Sequence, residues 1–188
     1  LTNKFFNVYN LFVSAVQNNP FCIMVLTSEV VDNLSRIEAR LKEMGIELGP
    51  PIEPKFAYVP AITFGNYVYT SGQDCRINGK LMYEGKLGRD LTVEQGAAAA
   101  RQTAINLLTV LKHHIGDLDR IKQIVKVLGW VNSTDEFADQ PSVINGASLF
   151  LEEVFGERGK HARSAIGTNS LPFNTPVEIE MIVELESE

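Results

Sequence analysis

An arginine can hold a carboxylate through two parallel N–H···O bonds, which fix both the position and the plane of the bound acid. The densest basic stretch of the chain, residues 158–163, holds Arg158, Lys160 and Arg163 with His161 between them. It reads as a solvated loop plus one functional arginine, for which Arg163 is a candidate. The competing reading of Arg163 is a surface or interfacial ion pair. A positioned carboxylate can orient or activate water for attack at an sp² carbon. Glu178 is the candidate, in a run whose Val177, Ile179, Met181, Val183 and Leu185 point one way and Glu178, Glu180, Ile182 and Glu184 the other. Its bland alternative is a solvent-facing strand glutamate. Tyr58 could wall a pocket and donate from its hydroxyl, or simply pack in a strand with a wet tip. The Ser71-Gly72 step and the backbone N–H of Ala165 could supply main-chain donors, and glycine lets a ligand approach the backbone closely.

Composition narrows the chemistry. The 188 residues are 45% hydrophobic and 21% charged, as expected for one globular domain with an appendage. A formal charge of -6, without a Lys/Arg cluster, argues against a phosphate-tracking surface. The two cysteines, Cys22 and Cys75, form no CxxC motif and no spaced Cys/His set, so no metal site is expected and both thiols are expected reduced. His113 and His114 adjoin late in a helix, where a bland capping role suffices; His161 is a candidate for the mouth of a cleft. The pattern holds no phosphate-binding loop, dinucleotide fingerprint or Ser-His-Asp arrangement.

Several elements must position these residues. Residues 1–27 are apolar but too broken by Asn, Gln and Pro20 for a membrane span. They read as an extension of uncertain origin, with Met24 as a plausible start and an organellar leader as the minority view. A cytoplasmic location is therefore expected. From Ser28, Val31, Leu34, Ile37, Leu41 and Met44 recur at helical spacing before Gly45, and a Pro-rich linker closes the 28–54 segment. The main domain is expected over 55–188. Runs 56–64 and 67–71, separated by Gly65-Asn66, predict a type II′ hairpin, and Asn78-Gly79 a second turn. Thr92 and Gln95 form a capping box ahead of a helix with an Ala/Leu side, ending near Gly116. Ile121–Asn132 reads as a strand. Pro141 suits the first turn of a helix with Val143, Ala147, Phe150, Leu151 and Val154 inward and Gly156 as its stop. Residues 164–168 and Val177–Leu185 read as strands. Two helices on one face of a mixed sheet make an α+β sandwich. The opposite sheet face, carrying Trp130, is left to a partner, most simply other copies of the chain.

Three blocks of this sequence resemble the Rid/YjgF family. They are Tyr58-Val59-Pro60-Ala61 with Gly65-Asn66 and Thr70-Ser71-Gly72-Gln73; Val125-Lys126-Val127 with Trp130-Val131; and His161-Ala162-Arg163-Ser164-Ala165 with Leu171-Pro172 and Val177-Glu178-Ile179-Glu180. The resemblance spans roughly residues 28–186. It is nearest the longer subgroup, which has an N-terminal helix and the 139–144 insertion. It implies a chorismate-mutase-like α+β fold and a homotrimer with ligand clefts between subunits. It implies release of ammonia from 2-aminoacrylate-type enamines and 2-iminopropionate-type imines, giving 2-oxo acids without metal or organic cofactor. Arg163 matches the family's substrate-anchoring arginine and Asn145 a pocket position that could hold a carbonyl or a water. Some relatives carry an endoribonuclease or translation-inhibitor label, which the acidic charge disfavours here; a non-catalytic carboxylate-binding module is the other alternative. Many members have Cys where this chain has Ala165, and some an acid at Gly167, so no thiol chemistry is available at position 165.

Overall fold

A computed structural model describes residues 35–50, 54 and 56–187. The expectations for residues 1–27, for the first part of the 28–44 helix and for much of the Pro-rich linker lie outside the described residues, as does Cys22. Helix α1 (Arg36–Glu43) buries Ile37 and Leu41. Asp119 receives the backbone N–H groups of Arg36 and Ile37 at 2.9 and 3.3 Å, satisfying donors that a helix start leaves open. Among the described residues, no helix is long and apolar enough to cross a membrane.

Strands β1 (Ala61–Phe64) and β2 (Tyr67–Thr70) form the predicted hairpin, with Phe64 opposite Tyr67 and Gly65 at φ +60°. Strand β1 is shorter than the 56–64 run predicts. Pro60 lacks a donor for the ladder, and the Ser71 N–H closes on its carbonyl at 2.8 Å. Phe56, Tyr58 and Val59 consequently leave the sheet and stand exposed. Asn78 and Gly79, both at positive φ, turn β3 (Arg76–Ile77) into β4 (Lys80–Leu81).

Helix α2 (Val93–Ile115) opens on both bonds of the Thr92–Gln95 capping box. Its burial runs unbroken from Thr103 to Leu111, where one Ala/Leu side is predicted. The reason is position: it packs against the sheet, against the next helix and against the β3 segment. Strand β5 (Ile121–Asn132) leads to α3 (Gln140–Phe155), whose predicted apolar stripe is buried. Strand β6 (Ala162–Thr168) starts two residues earlier than the sequence pattern indicates, and β7 (Val177–Leu185) alternates buried and half-buried throughout. The strands order β1-β2-β7-β5-β6, all antiparallel neighbours except the parallel β5–β6 pair. This is the α+β sandwich: α2 and α3 cover one face.

The helices approach closely because Gly146 has no side chain. A Cβ there would lie 1.9 Å from the Ala97 carbonyl oxygen of α2. Gly146→Ala must push the two helix backbones apart, and is expected to destabilise the fold by about 1–3 kcal/mol, read as a fall in Tm of several degrees by circular dichroism. The other sheet face carries Ile62, Phe64, Tyr67, Tyr69 and Ile166, all exposed. An apolar sheet face of this kind calls for a covering surface.

Candidate active site

The proposed residues fall into two groups on one chain. Tyr58, Ser71, Gly72 and Glu178 line one cavity of about 730 Å³. Arg163 and Asn145 do not line it; they meet each other across α3 and β6, with Ala165 two residues along from Arg163. Register shows the separation. Arg163 pairs with Val127, which pairs with Met181, whereas Glu178 pairs with Trp130. The two side chains are thus two strands apart, offset three residues along β5, about 10 Å at strand rise. They also project from opposite faces: Glu178 alternates with β7 residues buried toward the helices, while Arg163 bonds to α3.

Each element of the first group has a local cause. The Thr70 hydroxyl accepts from Met181 N–H at 2.9 Å and donates to its carbonyl at 3.3 Å, so a side chain completes the β2–β7 seam as the main chain turns away. Gln73 then pairs with Ile179 in both directions at 2.9 and 3.0 Å. Ser71 and Gly72 arch over the start of β7 between these anchors. The expectation for Ser71 needs correction. Its hydroxyl donates to the Val59 carbonyl at 2.7 Å and its N–H to Pro60, so Ser71 walls the cavity but has no donor to spare. The Gly72 N–H has no acceptor among the described residues and is the main-chain donor available at this step.

Glu178 lies against the Gly72 backbone, and an added Cβ at Gly72 would come within 2.3 Å of its Oε1. Its carboxylate makes no hydrogen bond or ion pair among the described residues. Burial raises its pKa above the usual glutamate range, helped by the nearby charges of Asp74 and Glu180. A carboxylate that is desolvated and unpaired is suited to taking a proton from water. In Gly72→Ala the colliding atom is the end of a flexible side chain, so Glu178 must move while the backbone stays. We expect near-unchanged Tm together with a loss of turnover on any substrate that depends on Glu178, measured by melting and steady-state kinetics side by side.

Arg163 donates from Nη1 to Asn145 Oδ1 at 2.8 Å and to Ser148 Oγ at 3.1 Å, and from Nη2 to the Pro141 carbonyl at 3.4 Å. All three acceptors are uncharged. No carboxylate pairs with it among the described residues, so no ion pair accounts for it there. Ala165 is half-buried against the core, opposite Gly129 on the edge strand β6. His161, expected near the mouth of a cleft, is partly buried and bonded to Ser148, which in turn contacts Arg163.

Sequence reasoning passes over Asp74, Arg76, Asn106, Ser148 and Phe173. Asn106 ties its side-chain amide to the carbonyls of Asp74 and Arg76 at 2.8 and 2.9 Å, clamping the loop to α2. A polar residue inside an apolar helical run is the signal that could have found it. Arg76 pairs with Asp74 and lies 4.6 Å from the Phe173 ring centroid at the cavity rim. Phe173 stands at φ +58°, a conformation no local sequence rule indicates for phenylalanine.

Comparison with known proteins agrees with this architecture. The family model described as "YjgF/chorismate mutase-like, putative endoribonuclease" matches residues 38–185. Protein TCP17 of Trypanosoma cruzi is 40% identical over 153 residues, covering 81% of this chain and 96% of that protein. The crystal structure of Atu1372 from Agrobacterium tumefaciens, a protein of unknown function, is 44% identical with a TM-score of 0.75, over 80% of this chain and 92% of that one. A structure from Shewanella oneidensis MR-1 that carries the endoribonuclease label is 37% identical with a TM-score of 0.77, over 79% and 99%. With the family model matching most of the chain, and relatives agreeing in sequence and overall structure, the chain belongs to the YjgF/chorismate mutase-like family.

Proposed function

We propose that this protein hydrolyses enamines and imines of small carboxylic acids to 2-oxo acids and ammonia, in clefts formed between copies of itself. The observation that carries the proposal is the division of the site. Among the described residues, an arginine without a carboxylate partner and a desolvated glutamate without a hydrogen bond occupy different faces of one chain. A head-to-tail ring of identical subunits is the simplest way to bring one copy's Arg163 to another copy's Glu178. Three copies would also cover the apolar sheet faces that carry Phe64, Tyr67 and Tyr69.

In such a cleft, the Arg163 guanidinium binds the substrate carboxylate, and Asn145 keeps that guanidinium in place. Protonation of an enamine at its β-carbon gives the iminium, which reaches the imine by losing a proton from nitrogen. Glu178 accepts a proton from water as the oxygen attacks the imine carbon, forming a carbinolamine. That proton passes to nitrogen, the hydroxyl proton of the carbinolamine follows it through Glu178 as the carbonyl forms, the C–N bond breaks, ammonia departs and the 2-oxo acid remains. The Gly72 N–H can bond to the attacking water or the new oxygen, and Tyr58 walls the pocket. No metal or redox step is required. The cavity exceeds what a three-carbon acid fills, and Phe56, Ile77 and Phe173 give it apolar walls, which suits imino acids with larger apolar side chains as well.

The decisive experiment measures ammonia release from imines generated in situ from a panel of amino acids, with the oligomer mass followed by light scattering. Accelerated release by a trimer is expected. A stable monomer would remove the shared cleft. A trimer that binds pyruvate without accelerating release would instead identify a carboxylate-binding module. RNA cleavage, which the label on some relatives suggests, is disfavoured by a chain charge of -6 and a cavity lined by Glu47, Asp74 and Glu178 against one cation among the described residues, Arg76.

A further inference from the structure

One partner of Arg163, Ser148, is itself held by a residue that the proposed chemistry does not use. His161 lies just ahead of β6. Its Nδ1 is 2.6 Å from the Gly159 carbonyl oxygen and its Nε2 is 2.9 Å from Ser148 Oγ. A carbonyl only accepts, so Nδ1 carries the ring hydrogen. In the neutral ring Nε2 is then an acceptor, and the Ser148 hydroxyl donates to it. Ser148 has no second hydrogen; its oxygen faces Arg163 Nη1 as an acceptor, at 3.1 Å.

This chain of bonds determines which edge of the guanidinium remains open. Both hydrogens of Nη1 are engaged, by Asn145 and Ser148. Nη2 has one long contact to Pro141, and Nε has no acceptor among the described residues. The Nε–Nη2 edge can therefore meet a carboxylate in the two-bond geometry.

We propose that His161, acting through Ser148, is a positioning residue that presents the Nε–Nη2 edge of Arg163 to the substrate carboxylate, and that it does so only as the neutral ring. The proposal rests on the reading of Arg163 as the carboxylate anchor. An imidazolium at position 161 would donate from Nε2 to Ser148, displace the hydroxyl hydrogen from its acceptor and set a second positive charge beside Arg163. The charged groups facing the ring are Arg163 on β6 and Glu152 on α3. Burial lowers the His161 pKa below the ordinary histidine value; the Gly159 bond opposes this, Arg163 adds to it and Glu152 opposes it. The neutral ring is thus the resting form at neutral pH.

The test is pyruvate binding by calorimetry to the assembled protein between about pH 5 and 8, for the wild type, His161→Gln, His161→Leu, Ser148→Ala and Arg163→Ala. Pyruvate remains anionic throughout. Wild-type affinity should fall on the acid side. Protonation of Glu178 would strengthen anion binding there, so the sign separates the two groups. His161→Gln, whose amide oxygen can accept from Ser148 without titrating, should bind within a few-fold of wild type at neutral pH and lose the acid-side fall. His161→Leu and Ser148→Ala should bind about ten-fold more weakly, as expected for a lost bond to a charged group, without that fall. Loss of binding in Arg163→Ala with wild-type behaviour in His161→Leu and Ser148→Ala would overturn the role of His161 alone. Wild-type binding in Arg163→Ala would overturn the anchor and this proposal together. An acid-side fall that persists in a folded His161→Gln would also overturn it.

Discussion

Arg163→Ala is expected to lower kcat/KM for 2-iminopropionate by about thirty- to several-hundred-fold, the equivalent of about 2–4 kcal/mol for truncating one member of a hydrogen-bonded charge pair. The guanidinium has no carboxylate partner among the described residues and three neutral acceptors that steady it. Its removal therefore leaves no buried countercharge behind, and Tm should change little. Arg163→Lys retains the charge but not the planar fork, and should recover only a fraction of the loss. Single-turnover kinetics on imine formed in situ provides the measurement. Turnover at the wild-type rate in Arg163→Ala would remove the anchor from the site and leave the family assignment untouched.

Glu178→Gln is expected to separate binding from chemistry. Pyruvate affinity should be retained or improved, because a negative charge leaves the cavity, while kcat falls by about 10²–10⁴-fold, the usual contribution of a positioned proton acceptor. In the wild type the rate should rise with pH through a value above the ordinary glutamate range, since burial, Asp74 and Glu180 all favour the protonated carboxyl. Stability should run the other way. A carboxyl whose folded pKa exceeds its unfolded value contributes stability below the unfolded value, and loses it as pH rises through the folded one. Ionised Glu178 is therefore a cost to the fold near neutrality. Glu178→Gln should melt higher than wild type at about pH 7 and much the same at about pH 4. An unchanged kcat would assign the water to another group. An unchanged Tm difference across pH would mean that desolvation of this carboxyl is slight in the assembled protein.

The apolar alternation of Val177–Leu185, the capping box at Thr92 and Gln95, the turn at Gly65-Asn66 and the glycine stops at 116 and 156 were all legible in the residue order. Each depends on neighbours within a few positions, and local periodicity carries that information directly. The same alternation placed Glu178 on the face opposite the core. The residues named for the site were also legible, through the resemblance, but their mutual geometry was not. That Ser71 spends both donors on residues 59 and 60, leaving Gly72 as the free main-chain donor, follows from how the hairpin ends against β7. That Tyr58 leaves the sheet depends on where the β1 ladder stops. The burial of α2 on several sides, the clamp from Asn106 and the positive φ of Phe173 arise from contacts between segments distant in sequence.

The separation of Arg163 from Glu178 is the clearest case. They stand fifteen positions apart in the chain, and linear proximity suggests one site. The strand order β7-β5-β6 inserts β5 between their strands, and the phase of each strand sends one side chain toward α3 and the other toward the open face. Register and strand order come from long-range pairing, in which a shift of one residue would exchange the two faces. The residue order determined which groups are available for chemistry; only the tertiary pairing decided that one chain holds them apart.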